Sequence, residues 1–86
     1  VIGERAANNR GYALLAENKT NEAIAVFRLN AYLYPESANA YDSFAESYMV
    51  AGNTALAIEN YEKSLALDPN NKNAVEKLRQ LRDAEK

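Results

Sequence analysis

Residues 38–71 read ANAYDSFAESYMVAGNTALAIENYEKSLALDPNN, and this stretch decides the fold. Tyr41, Phe44 and Tyr48 recur at i, i+3 and i+7, the spacing of one face of an α-helix. Ala45 lies on the same stripe, where a small side chain lets a second helix approach closely. A second stripe, Ala57, Ile58, Tyr61 and Leu65, follows Gly52-Asn53. Glycine takes the left-handed conformation that ends a helix without steric cost. Pro69 closes the second run, because proline disfavours helical backbone at the residue before it, here Asp68. The stretch is expected to form a helical hairpin.

Taken in order, Tyr41, Phe44, Ala45, Tyr48, Ala57, Tyr61 and Pro69 resemble the tetratricopeptide repeat signature of spaced aromatic, small and proline positions. The resemblance implies an all-α fold, a right-handed α-α superhelix of two helical hairpins closed by a C-terminal capping helix. It also implies a class of function, the holding of other protein surfaces, without naming the partner.

Shifting the chain by 34 residues lays its first part on this stretch. Gly11 falls on Ala45, Leu14 on Tyr48, Asn18 on Gly52 and Phe27 on Tyr61. Six pairs are identical: Ala6 with Ala40, Thr20 with Thr54, Ala23 with Ala57, Ile24 with Ile58, Leu33 with Leu67, and Pro35 with Pro69. Asn18 is a suitable left-handed residue in place of glycine. Thr20 and Thr54 are suited to cap the second helices, Ser37 the third, and Asn70 or Asn71 the fifth. The chain is therefore divided into a repeat at 4–37, a repeat at 38–71 and a capping helix at 72–86, all in one domain over 1–86. Helices are expected near 2–17, 21–34, 38–51, 55–67 and 72–84. Val75, Leu78 and Leu81, with Ala74 and Ala84, give the last helix its apolar stripe. Phe27, Phe44, Tyr48 and Tyr61 are the expected core, with Ala23 and Ala57 at close helix contacts. The first repeat departs from the pattern where Ala7 and Arg10 replace Tyr41 and Phe44. Either a terminal repeat has lost its outer neighbour, or Arg10 faces an upstream domain.

Composition narrows the function. The 86 residues contain no Cys and no His, which excludes disulfides, thiolate or imidazole metal sites, Cys nucleophiles and His-based triads. A net charge of -2 gives no reason to expect nucleic acid or an acidic membrane as partner. No apolar run approaches the length of a membrane span. The chain begins at Val1 and reads as a piece of a longer protein or as a processed one, its compartment undetermined. Ser43, Ser47 and Ser64 have no base, Lys19 and Lys63 no activating motif, and no phosphate-binding or calcium loop is present. No enzyme activity, no cofactor and no metal are expected. Asp42 and Glu46, at i and i+4, read as a solvated helix face.

In tetratricopeptide arrays the first helix of each hairpin lines a concave face. The resemblance places Arg5, Asn8, Tyr12, Leu15, Asn39, Asp42, Glu46, Met49 and Lys77 on that groove as candidate partner contacts, with Ala16, Val50, Asn73, Glu76 and Gln80 beside them. Some members of the family grip a peptide's terminal carboxylate with Lys, Arg and Asn. The corresponding places here hold Asn8, Tyr12, Ser43, Asn73 and Lys77. Only Asn73 and Lys77 suit that task, and Asp42 and Glu46 would repel a carboxylate, so the activity is not carried over.

Gly11-Tyr12-Ala13-Leu14-Leu15, Phe27-Arg28-Leu29-Asn30, Tyr34-Pro35 and residues 37–43 also resemble the short repeat tail of some bacterial serine hydrolases. That resemblance implies a non-catalytic accessory or dimerisation domain of a larger enzyme. The two expectations are thus an interaction module for a protein or peptide segment and an accessory domain packing on its own chain or on a second copy. About three repeats are usually needed for stability, and two suggest help from a neighbour.

Overall fold

The computed structural model describes residues 3–85 and forms α1 (Glu4–Ala16), α2 (Thr20–Leu33), α3 (Ala38–Val50), α4 (Thr54–Leu67) and α5 (Lys72–Ala84). The helix ends fall within two residues of expectation. The expected start at Ile2 lies outside the described residues.

The same turn is used twice. Asn18 (φ 63°) and Gly52 (φ 81°) are the left-handed residues after α1 and α3. At the first turn the Asn18 N–H meets Leu15 O at 3.0 Å and the Lys19 N–H meets Leu14 O at 2.9 Å. At the second, Gly52 N–H meets Met49 O at 3.1 Å and Asn53 N–H meets Tyr48 O at 2.9 Å. This pair of reversed bonds satisfies helix-end carbonyls that have no partner within their own helix. It also brings the chain round so fast that α2 and α4 begin one residue early. Thr20 and Thr54 are consequently the first residues inside α2 and α4, not their caps. Asn53 caps α4, its side chain accepting the Leu56 N–H at 3.2 Å, whereas Lys19 precedes α2 with no side-chain cap. Ser37 and Asn71 cap α3 and α5 as expected, accepting from the Ala40 and Ala74 N–H groups.

Within each hairpin an aromatic ring lies on a small residue. Phe27 and Tyr61 are fully buried, as are Ala23, Ala45 and Ala57, and Phe44 and Tyr48 are nearly so. A Cβ at Gly11 would stand 2.4 Å from two Phe27 ring carbons, so only glycine fits against that ring. Each of the large buried rings contributes about 1.5–3 kcal/mol.

Within each hairpin, polar groups also take part. Asn30 donates to Glu4 O at 3.2 Å, and Ser64, at the same register, donates to Ala38 O at 2.7 Å. Both side chains are buried, each tying the end of a hairpin's second helix to the start of its first. These bonds were not legible beforehand.

Several apolar assignments change. The inward stripe of α5 is Ala74, Leu78 and Leu81, while Val75 is 52% exposed and Ala84 lies outside. Leu33 and Leu67, an identical pair, are both exposed. Ala40 is buried beneath its neighbours, but its counterpart Ala6 is exposed, since no described helix lies before α1. Tyr41 is only half-buried, with the Lys63 ammonium 5.8 Å from its ring centre. Among the described residues no helix is long and apolar enough to cross a membrane.

Candidate functional site

The face shared by α1, α3 and α5 carries two hydrogen-bonded polar groups, one around each acid of α3. Tyr12 on α1 places its hydroxyl 3.0 Å from Glu46 Oε1 and 3.2 Å from Ser43 Oγ, both on α3. A phenol has one proton to give. It donates to the carboxylate and accepts from the Ser43 hydroxyl. The ring of Tyr12 meets Phe27 edge-on, 5.1 Å between centres at 70°, which fixes its direction.

Asp42, one turn before Glu46, reaches the other way. Asn71 Nδ2 donates to Asp42 Oδ2 at 2.8 Å, and Asn73 Nδ2 lies 3.0 and 3.1 Å from its two oxygens. Asn71 also donates to Ser64 Oγ at 2.9 Å while capping α5. One residue thereby joins α3, α4 and α5. The helix order puts Asp42 and Glu46 on adjacent turns of one face, and their partners hold both in place. The expectation of a solvated acidic face is corrected: both side chains are half-buried and hydrogen-bonded to neighbouring helices.

Tyr61 lies near these acids. It stands 34 residues after Phe27, at the matching place of the second hairpin, and is near enough to feel the charges of Asp42 and Glu46. Its hydroxyl is buried without a hydrogen-bond partner. Burial, and then the charges of Asp42 and Glu46, push the Tyr61 phenol above its ordinary range. Burial likewise raises Tyr12 to about 12, with the Glu46 charge adding and Ser43 opposing.

The remaining sequence candidates separate. Leu15 and Met49 are half-buried and lean on the core. Asn8 is half-buried, its Oδ1 enclosed without a partner. Arg5 and Asn39 are exposed. Lys77 on α5 is half-buried and makes no ion pair among the described residues. Thus Tyr12, Asp42 and Glu46 are brought together, and Ser43, Asn71 and Asn73 join them. A polar phenol at 12 opposite a carboxylate at 46, one register apart, was the available signal for that bond. Among the described residues no group of three or more acids could hold a metal ion. Two surface depressions lie elsewhere, at the α2–α3 joint around Glu4 and Ser37 and between α4 and α5 around Leu65 and Val75.

Two family models described as tetratricopeptide repeat match residues 38–71 and 4–36. The Hsp70-Hsp90 organizing protein of Triticum aestivum is 34% identical over 64 residues, which is 74% of this chain and 11% of that protein. The chain therefore spans about a tenth of that relative's length. Among solved structures, the first TPR of Spaghetti (RPAP3), bound to the HSP90 peptide SRMEEVD, superposes with a TM-score of 0.87 at 26% identity. That match covers 95% of this chain and 65% of the other. None of these is a hydrolase, and they lend no support to the resemblance to bacterial hydrolase tails.

Proposed function

The chain belongs to the tetratricopeptide repeat family, and from that premise we propose that it is a protein-interaction module receiving a peptide or protein segment along the α1–α3–α5 face. The observation that carries this is the combination of two half-buried apolar side chains, Leu15 and Met49, with the fixed polar groups Tyr12, Asp42 and Glu46 on one face. Apolar area with a few oriented polar groups is the usual composition of a recognition surface. The structural neighbour holding an HSP90 peptide supports the same use of the fold. Arg5, Asn8 and Asn39 border the segment's path, and Lys77 stands on the α5 side.

The test is selection of binding segments from a peptide-display library, followed by mapping of the selected peptides by cross-saturation NMR. Contacts should fall on Tyr12, Leu15, Asp42, Glu46 and Met49. Contacts concentrated on Leu29, Tyr32, Glu59 and Lys63 of the outer helices would reject this face.

A further inference from the structure

We propose that the α1–α3–α5 face selects a segment bearing a lysine or arginine, whose cation seats against Asp42 and Glu46 while flanking apolar side chains lie on Leu15 and Met49. The proposal rests on the reading of that face as the binding surface and adds the chemistry of its occupant.

Uncompensated charge is the first argument. The five ion pairs among the described residues join Glu17 with Lys19, Glu59 with Lys63, Glu76 and Asp83 with Arg79, and Glu62 with Arg82. None includes Asp42 or Glu46. Among the described residues, these two receive hydrogen bonds only from neutral groups, the amides of Asn71 and Asn73 and the phenol of Tyr12. Two negative charges on neighbouring turns are thus left unpaired. Half-buried charges are also less screened by salt than exposed ones.

Fixed geometry is the second. Asp42 is held at both oxygens, at 2.8 to 3.1 Å, and Glu46 at Oε1 at 3.0 Å. Their positions are set before a partner arrives, which lowers the ordering cost of binding.

The third is the hydroxyl of Tyr61, whose residue is 0% exposed. It is near enough to both carboxylates to feel their charges, and it has no hydrogen-bond partner. A dipole left unpaired near two acids marks a place where the domain's own polar groups do not complete the hydrogen bonding.

Opposite charge on the partner completes the complementarity, and like charge opposes it. An acidic segment such as the EEVD end of the neighbour's peptide would face Asp42 and Glu46 directly. Asn73, a neutral donor at hand, already spends its amide on Asp42.

The experiment is an NMR titration of the whole chain with three peptides. One is an acetylated, amidated eight-residue peptide alternating Leu and Lys; the second has each Lys replaced by Gln; the third is SRMEEVD. The Lys peptide should shift Tyr12, Leu15, Asp42, Glu46 and Met49. Its affinity should fall at least about fivefold in Asp42→Asn/Glu46→Gln, and similarly between low and high salt. Glu22→Gln/Glu36→Gln, which removes equal charge elsewhere, should change it less than about twofold. If SRMEEVD or the Gln peptide binds this face as tightly, the cation preference is overturned while the face remains a binding surface. Lys-peptide binding that ignores Asp42→Asn/Glu46→Gln overturns the seat for the cation. Absence of any shift from all three peptides at millimolar concentration overturns the binding face together with the preference.

Discussion

Gly11→Ala is a single-methyl test of the hairpin interface. In the interior of a helix alanine is favoured over glycine by about 0.8–1.0 kcal/mol, so propensity alone says the change stabilises α1. The structure says otherwise. The new Cβ would lie 2.4, 2.4 and 2.8 Å from Cε1, Cζ and Cε2 of Phe27. Ordinary carbon contacts are about 3.5–4.0 Å, so the ring would have to withdraw by roughly an ångström. Phe27 is 0% exposed, and in a close-packed interior its ring can withdraw only by displacing neighbours. Overpacking of this kind costs about 1–3 kcal/mol, and so large an overlap belongs to the upper part of that range. Subtracting the propensity gain leaves a net loss of about 1–2 kcal/mol. For a domain of this size each kcal/mol lowers Tm by about 4–8 °C. The assay is urea and thermal unfolding followed by circular dichroism. In a Phe27→Leu background, where the ring is gone, Gly11→Ala should become neutral or stabilising. The equivalent position already holds Ala45, so Ala45→Gly should also destabilise, by about 1 kcal/mol: each hairpin is worse off with the other's residue. A Gly11→Ala protein more stable than the natural one by about 1 kcal/mol would refute the close contact with Phe27.

Phe44→Ala should cost about 3–5 kcal/mol, a large share of a small domain's stability, measured by urea unfolding. Asn71→Ala removes the α5 cap and the donor to Asp42 and Ser64, and should cost about 2 kcal/mol by the same assay; loss of the cap alone is about 1. Tyr61→Phe deletes a buried hydroxyl that has no partner, and should raise stability at pH 7 by about 1 kcal/mol or more. Tyr12 and Tyr61 both ionise later in the folded chain than in the unfolded one. Their contribution is therefore full below the unfolded value of 10.0 and is lost as pH rises from there toward about 12 for Tyr12. Unfolding free energy should fall steeply above pH 10 in urea titrations, and Tyr12→Phe should flatten that fall.

Helix positions, turns and most of the large core were legible in the sequence because the information is local. A period of 3.6 residues, a left-handed residue after each first helix and a polar cap before α3 and α5 act within a few residues of one another. Asn18, Gly52, Ser37, Asn71, Phe27 and Tyr61 were all readable on these terms. The 34-residue register then carried the reading of one hairpin onto the other.

What needed the tertiary structure was every feature set by two helices at once. Asp42 and Glu46 have the spacing of a solvated face, and only the approach of Tyr12 from α1 and of Asn71 and Asn73 from the α5 end makes them half-buried and bonded. Val75 and Ala74 are adjacent on α5, and the crossing of α4 over that helix decides that alanine turns inward and valine outward. Asn30 and Ser64 look like surface residues until the start of the preceding helix supplies a carbonyl. Gly11 differs from Ala45 by one methyl group, and the position of the Phe27 ring decides that the methyl is forbidden there. A sequence pattern specifies which face of a helix is apolar, since that follows from the pitch of one chain. It does not specify the angle and depth at which a second helix meets that face, and those two quantities settle which polar groups are covered, paired or left open.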